Sequence, residues 1–140
     1  MISDVKPYAR ARMVALGYTE WTDGFEYTNI PKTLYESAFH LSLGSVSSGS
    51  NNQDNLPVLV PITVRVPLDG TNDPKSKIDE AVSRGDAILA EFIAPLNRLT
   101  QDTIKDVRFR SMSVEPWGNA NDNSLLLTVE FEFFVIICGR

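Results

Sequence analysis

Few side chains in this sequence are suited to acid–base or nucleophilic chemistry. His40 is the only histidine, and it lies in the alternating stretch 38–43, which has the period of a half-buried strand. A histidine can act as a general base, but nucleophilic catalysis also needs a nucleophile and an orienting group. The sequence supplies no glycine-flanked serine motif for His40. We therefore interpret His40 as a partly exposed strand histidine.

Two carboxylates and one thiol near the end of the sequence are the next candidates. Glu130 and Glu132 point to the same side of a predicted strand, as a glycosidase pair does, but solvated alternation opposite an apolar face explains them equally well. Cys138 is the only cysteine, so no disulfide can form within the chain, and a reducing compartment is favoured. The usual role of such a cysteine is that of a small buried hydrophobe.

The sequence does not indicate a metal or phosphate site. Asn119, Asn121, Asn123 and Glu130 match four ligand positions of a calcium-binding loop, but Ser124 stands where that loop requires glycine. The second half of the match is also predicted to be strand. Glycine-rich phosphate loops and Cys/His metal spacings do not occur in the sequence. We therefore predict no cofactor and no enzymatic activity.

Length and charge narrow the class of protein further. The 140 residues are enough for one ordinary domain, and 43% hydrophobic and 22% charged residues are typical of a globular chain. A formal net charge of -5 disfavours binding that depends on neutralising phosphates. Arg108 and Arg110 are interpreted as a solvated strand face. No stretch approaches the ~20 apolar residues that cross a bilayer, so no membrane association is expected.

Hydrophobic periodicity predicts the element order α-β-β-α-β-β. Ser3 is the expected N-cap of the first helix and Gly17 its end, while Asp73-Pro74 opens the second helix. The predicted elements are a helix over 4–16, strands over 34–43 and 57–68, a helix over 74–94, and strands over 104–114 and 124–138. This order indicates an α+β fold in a single domain, 1–140, with a four-stranded antiparallel or mixed twisted sheet and two helices on one face.

The same periodicity assigns side chains to faces. Pro61 and Pro67 within the second strand favour an edge position or a bulge. The predicted buried face of the second helix consists of Ile78, Val82, Leu89 and Phe92. The third strand is expected to present Val107, Phe109, Ser111 and Ser113 on one side and Arg108, Arg110, Met112 and Val114 on the other. The last strand is expected to meet the helices with Leu125, Leu127, Val129, Phe131, Phe133, Val135 and Ile137.

Two segments lack regular periodicity. Residues 17–32 mix turn-forming residues with aromatic ones, which predicts irregular chain packed over the core. Residues 44–55 contain almost no side chain whose burial could offset the entropy of ordering. We therefore expect a mobile loop over 44–55 in the isolated protein.

The end of the last strand is apolar on both faces over 133–138. Either the aromatic segment 17–32 or a neighbouring subunit must cover its second face. A proline-bearing strand and a long polar loop are also common where sheet edges meet other chains. The predicted interface residues are Phe134, Ile136, Cys138, Val46, Ser47, Ser48, Asn51 and Asn52.

Several stretches together carry a resemblance to a known family. They are the first helix running into 17–21, the strand 38–44 with the Ser/Gly loop, the strand 58–66 before the helix 73–95, and the closing pair 107–114 and 121–131. In element order and length the chain resembles the tail terminator, or tail-completion, family of long-tailed bacteriophages. No functional residue is carried over, because the resemblance includes no invariant motif.

The resemblance implies a twisted sheet flanked by helices and a homo-oligomeric ring, often of six subunits, that caps the tail tube and joins it to the neck. The implied partners are further copies of the chain, the tail tube protein and neck or connector proteins, with DNA passing through without specific binding. The implied location is the virion, and the host cytoplasm during assembly. The alternatives are another neck, connector or tube protein, and a small α+β enzyme or ligand-binding subunit. In that last case 44–55 would be a lid and Arg108 or Arg110 an anion anchor.

Overall fold

The computed structural model describes residues 2–21, 28, 30–48, 55–71, 73–94, 104–117 and 123–138. The helices are α1 (Val5–Ala15) and α2 (Pro74–Ile93), and short 3-10 turns cover Ile2–Asp4 and Lys32–Leu34. The strands are β1 (Thr19–Glu20), β2 (Ala38–Leu43), β3 (Ser47–Ser48), β4 (Asn55–Leu68), β5 (Ile104–Pro116) and β6 (Leu125–Cys138).

The strands form one mixed sheet in the order β1-β2-β4-β6-β5. β1 runs parallel to β2, whereas the β2–β4, β4–β6 and β5–β6 pairs are antiparallel. β3 pairs with β4 beyond the end of β2. The predicted α+β class is confirmed, but the count of four strands is wrong. The two additional strands, β1 and β3, have two residues each and are too short to give a periodic signal.

The signals predicted for the helix ends are confirmed at two of three positions. Gly17 adopts a positive φ of 96°, and its N–H donates to the carbonyl of Val14 at 2.9 Å, which ends α1. The side chain of Asp73 accepts a hydrogen bond from the Ser76 N–H at 3.1 Å at the start of α2. Ser3 is not the N-cap of α1, because it lies inside the preceding 3-10 turn.

The start of the strand predicted over 34–43 is wrong. Leu34 ends a 3-10 turn, and β2 begins only at Ala38. Between them Glu36 has a positive φ of 71°, and its N–H donates to the carbonyl of Pro67 at 2.7 Å. This hydrogen bond connects the segment that precedes β2 to the end of β4.

Both helices pack on one face of the sheet. Tyr8 of α1 lies edge-on to Phe92 of α2 and Phe133 of β6, with ring centroids 6.4 Å and 5.6 Å away, and its hydroxyl donates to the Phe92 carbonyl at 2.9 Å. Phe92 also stacks on Phe131 at 4.3 Å. The largest buried side chains in the described part of the chain are Phe39, Phe92, Phe131, Phe133, Met13, Ile62, Leu68, Ile88 and Leu127.

The buried face of α2 differs from the predicted one. Ala81, Gly85, Ile88 and Phe92 are buried, whereas Ile78 and Val82 are exposed and Leu89 is only partly buried. The cause is a close approach of the helix to β5, where a Cβ on Gly85 would collide with the sulfur of Met112. Ala81 and Gly85 therefore face the sheet together with Ile88 and Phe92, whereas Ile78 and Val82 are turned outward.

β4 is a central strand, so the prediction of an edge or bulge from its prolines is wrong. The carbonyl of Pro61 accepts from the Gly44 N–H at 2.9 Å, and that of Pro67 accepts from Glu36. In an antiparallel strand the N–H and C=O of one residue point to the same side. Both missing N–H groups therefore point toward β2, outside the four residue pairs that β2 makes with β4. On its other side β4 pairs with β6 without a register shift.

The faces predicted for β5 are correct only for its first half. Phe109 pairs with Phe131, but the next pair is Ser111 with Glu130, so Arg110 is the extra residue of a β-bulge. The bulge reverses the alternation, and Met112 shares the helix-covered face with Phe109. A second register shift lies at Lys105, between the pairs made by Ile104 and Asp106.

The two aperiodic segments are described in part. Tyr18 and Ile30 are buried, as expected for packed chain, while 22–27 and 29 lie outside the described residues. β3 occupies the beginning of the loop predicted over 44–55, and 49–54 lie outside the described residues. The predicted mobility of that loop therefore stays a prediction.

Candidate subunit interface on the open face of the sheet

The sheet face opposite the helices carries a cluster of apolar side chains. In β4 the buried residues Val58 and Val60 point to the helices, so alternation places Leu59 and Pro61 on the other face. We call that other face the open face. Leu59 pairs directly with Phe134 of β6, and Ile136 is the next residue of β6 on the same face. Leu59, Pro61, Phe134 and Ile136 are all partly exposed, and we call these four residues the open-face patch.

Packing of neighbouring side chains makes the open-face patch contiguous. Directly opposed residues in an antiparallel pair have Cβ atoms roughly 4.5–5.5 Å apart, so Leu59 and Phe134 are in contact range. Pro61 and Ile136 continue the same two rows. The patch is therefore a contiguous apolar surface across two adjacent strands.

The structure brings several of the predicted interface residues together. Phe134 and Ile136 lie in the open-face patch, and Ser47 and Ser48 of β3 pair with Leu59 and Val58 on the other side of β4. Val46 precedes β3 and is exposed.

Other predicted interface residues are only partly placed. The backbone of Cys138 pairs with Asn55 at the same end of the sheet. Asn51 and Asn52 lie outside the described residues.

Sequence reasoning missed Leu59 as a member of the patch. The signal was available, because Val58, Leu59 and Val60 form a short run that is apolar on both faces, like the end of β6. What the sequence could not supply is the register that sets Leu59 opposite Phe134.

Ion pairs border the open-face patch on the β5 side. Arg110 donates to Glu132 at 2.8 Å and lies 3.8 Å from Glu130, while Arg108 donates to Asp106 at 2.9 Å. Exposed pairs of this kind contribute about 0–1 kcal/mol to stability. An apolar centre with a polar rim is the usual anatomy of a protein–protein interface.

The same pairs bear on the chemistry considered for these residues. Glu130 and Glu132 share Arg110, so they form one charged group rather than a separated acid–base pair. Arg108 and Arg110 each have a carboxylate partner. These partners neutralise the two guanidinium groups and make them poorer binding groups for an anionic ligand.

A polar group around His40 lies farther along the open face. His40 is only 7% exposed, so the prediction of a partly exposed histidine is wrong. Arg65 pairs directly with it on β4, and Ser42 lies beside it on β2. The Ser42 hydroxyl accepts from Arg65 at 2.7 Å and lies 3.4 Å from Nδ1 of His40. The second distance is long for an O–H hydrogen bond. Ser42 is also in a strand rather than on the sharp turn that presents a nucleophilic serine.

A separate charged cluster joins the turn before β2 to α2. Lys77 donates to Glu36 at 2.7 Å and to Glu80 at 3.0 Å. The hydrogen bonds to Glu36 and Glu80 raise the pKa of Lys77, and the bond from Lys77 lowers the pKa of Glu80. Arg84 donates to the Tyr18 hydroxyl at 2.9 Å beside this cluster. These contacts fasten the helix to the sheet and are structural.

The part of the chain that the structure describes shows neither a candidate metal centre nor a membrane-spanning helix. No group of three or more His, Cys, Asp or Glu side chains there could hold a metal ion. No helix within those ranges is long and apolar enough to span a membrane.

No model of a known protein family matches the sequence, and no curated protein matches it.

Proposed function

We propose that this protein is a structural subunit that assembles with copies of itself into a ring, and that the ring is a tail terminator of a long-tailed bacteriophage. The observation that carries the proposal is the open-face patch. Both helices pack on the other face, so the patch remains partly exposed between polar borders.

The energetic argument for assembly comes from the residues in the patch. Fully burying a Phe, Leu or Ile side chain is worth roughly 1.5–3 kcal/mol. A second copy that covers Leu59, Phe134 and Ile136 would recover the part of this free energy that the monomer leaves unused. Compact apolar patches with polar borders mark interaction sites on soluble proteins.

The choice of a phage tail rests on the resemblance in element order and on charge. A net charge of -5 per subunit suits a ring through which DNA slides without sticking, because like charges repel. The partners proposed are further copies of the chain, the tail tube protein and neck or connector proteins. The protein would act in the virion, after assembly in the host cytoplasm.

The proposal is tested by the mass of the native particle. We expect light scattering after size exclusion, and native mass spectrometry, to detect a ring when the protein is mixed with tail tubes of the phage that encodes it. The tubes are necessary because a terminator can stay monomeric until it meets the tube. A strict monomer at tens of micromolar that also forms no ring on tubes would overturn the proposal.

Related roles are distinguished by where the ring binds. A neck or connector protein would bind the head rather than the tube end, and a tube protein would form polymers of increasing length instead of a single cap. Electron microscopy of the same mixtures separates these outcomes.

A further inference from the structure

A second exposed apolar surface lies on one flank of α2. Its residues are Ile78, Val82, Leu89 and Ile93, whose spacings of four, seven and four place them along one side of the helix. Ile78, Val82 and Ile93 are between 39% and 45% exposed, and Leu89 is partly buried. We call these four residues the α2 stripe.

The contacts of α2 fix the direction in which the α2 stripe faces. Glu91 bonds to Arg12, so its side of the helix faces α1. Gly85 and Phe92 are buried and face the sheet. At 100° per residue, the stripe lies farther round the helix in the same direction, about 40–100° beyond Phe92. It therefore points away from α1 and over the outer edge of β5.

The outer edge of β5 carries backbone groups that bond to no other strand in the described ranges. In β4 the odd-numbered residues direct their backbone groups to β2, as Pro61 does, so the even-numbered ones bond to β6. Following the residue pairs through β6 to β5, Ser111 and Ser113 are the residues that bond to β6. Met112 and Val114 therefore direct their N–H and C=O groups to the outer edge.

A second copy that continued the sheet would cover this edge and the α2 stripe together. Gly85 contacts Met112 of β5, and Phe92 stacks on Phe131 of β6, so α2 lies over these two strands. Because strands are about 4.8 Å apart, a two-fold axis beside β5 would set the two α2 helices roughly 10 Å apart. Packed helices lie about 8–10 Å apart. The two stripes would therefore meet at the distance of an ordinary helix pair.

The midpoints of the two surfaces coincide, as a two-fold contact requires. The regular part of the outer edge lies between the bulge at Arg110 and Pro116, which has no N–H, and its centre is Ser113. The α2 stripe is centred beside Gly85, which contacts Met112, the neighbour of Ser113. One axis near Ser113 would thus serve both the strand pair and the helix pair.

We propose that two copies of the protein form a two-fold dimer in which β5 pairs antiparallel with β5 and the α2 stripe packs on the α2 stripe. In this dimer Met112 of each copy pairs with Val114 of the other, and the two Ser113 residues lie opposite each other on the axis. Such a contact closes at two copies and leaves the open-face patch uncovered. It is therefore distinct from the proposed ring contact and does not rest on it.

The charged residues near the axis limit the strength of this contact. Lys75, Asp79 and Asp86 are exposed on the solvent side of the α2 stripe. In the antiparallel helix pair Asp86 meets its own copy, whereas Lys75 and Asp79 lie toward the ends. On the strands Glu115 faces Ser111, so the ladder adds no pair of like charges. The contact is also small, so we expect a weak dimer that dissociates at low micromolar concentration.

Disulfide trapping tests the position of the axis. With Ser113→Cys the introduced thiols lie on opposed residues of a non-hydrogen-bonded pair, whose Cα atoms are about 4.5 Å apart and can be bridged. Ser111→Cys is the matched control, because residue 111 lies opposite Glu115 and its two thiols are roughly 13 Å apart. At about 100 µM protein without tubes, we expect the disulfide to form at least about tenfold faster at position 113. Peptide mass spectrometry identifies the bond, because native Cys138 is present in both variants.

Further substitutions in the Ser113→Cys protein test the helix contact. Val82→Glu puts a carboxylate in the middle of the α2 stripe and should slow disulfide formation at least about tenfold. Val14→Glu makes the same change on an exposed valine of α1 and should leave the rate unchanged. Asp86→Asn removes the like charges at the axis and should raise the rate about two- to threefold.

The outcomes separate this inference from the proposed function. Equal rates at positions 111 and 113, or a rate at 113 that Val82→Glu leaves unchanged, would overturn the dimer without affecting the ring. A protein that dimerises in this way but forms no ring on tubes would overturn the proposed function alone. Circular dichroism melting checks the folding of each variant. If Val82→Glu unfolds the protein, Ile78→Glu at the exposed end of the stripe takes its place, with the same slowing expected.

Discussion

Replacing Phe134 and Ile136 together by glutamate should abolish the ring and leave the monomer folded. Full burial of each side chain is worth roughly 1.5–3 kcal/mol, but both are already partly covered within the monomer, so a neighbour gains about 1–3 kcal/mol from the pair. Every 1.4 kcal/mol is tenfold in affinity, so the loss per contact is about fivefold to 140-fold. Two carboxylates trapped at the contact add a desolvation cost to this loss.

Two measurements on the same samples check this prediction. Native mass spectrometry in the presence of tubes should show monomers for the double variant and rings for the wild type. Circular dichroism should place the two monomers' melting temperatures within a few degrees of each other. Val14→Glu is the control for an added carboxylate, because it puts one such charge on an exposed apolar residue of α1, and it should assemble normally.

Two results would refute the reasoning in different ways. If the double variant stays folded and fully oligomeric, the open-face patch is not the contact surface. If it unfolds, Phe134 and Ile136 are covered within the monomer, as they would be by segment 17–32, and the glutamates were forced into the interior.

Further predictions concern other parts of the chain. The protein should not bind duplex DNA at physiological salt, because its net charge is -5. Sub-micromolar binding measured by fluorescence anisotropy would contradict this charge argument and would assign a role in DNA binding to the basic residues of β5. Deleting 47–52 should shift the melting temperature by only a few degrees, because β3 makes just two ladder pairs with β4. The same deletion should impair assembly. A deletion variant that does not fold would show that this loop belongs to the core. Gly85→Leu should lower the free energy of unfolding in urea by about 1–3 kcal/mol, because the new side chain would collide with Met112. Ala87→Leu, on the exposed side of α2, should lower it little. Equal losses would contradict the close contact between Gly85 and Met112. Because the pKa of Glu80 is lowered in the folded protein, its carboxylate stabilises the fold at pH values above the ordinary glutamate pKa. This contribution is lost as the pH falls through the lowered pKa. Glu80→Gln should therefore flatten the acid end of the stability curve, with a loss below about 1 kcal/mol at neutral pH, and an unchanged curve would count against that ion pair.

The elements with strong periodicity could be predicted from the sequence. The alternation from Val58 to Val66, and the apolar odd positions of β6, define their strands and the face that meets the helices. The caps Asp73 and Gly17 mark helix ends within one or two residues because they act locally. Phe134 and Ile136 were found as candidate interface residues by the same local argument.

What the sequence could not supply depends on contacts between distant segments. The bulge at Arg110 is visible only once β5 is aligned with β6, and it reverses the faces of Met112 and Val114. The buried face of α2 was predicted from the largest apolar residues, but close packing selected Ala81 and Gly85 instead. The chemistry around His40 likewise depends on Arg65, which lies on another strand.

The position of β4 could have been predicted more closely. Pro61 and Pro67 are an even number of residues apart, so their missing N–H groups must point to the same edge of the strand. The other edge keeps every donor and can pair continuously, which is what β6 does.

This asymmetry of β4 also affects how the protein folds. β4 and β6 are separated in sequence by α2 and β5, so their ladder is a long-range pairing that forms slowly. Until β6 arrives, β4 is a valine-rich strand that can aggregate with strands of other chains. Pro61 and Pro67, two of the three prolines of β4, interrupt the donors along one of its edges, which prevents a continuous ladder from growing there. They therefore act as gatekeepers during folding, at little cost to the finished sheet, because β2 and β3 leave those positions unpaired.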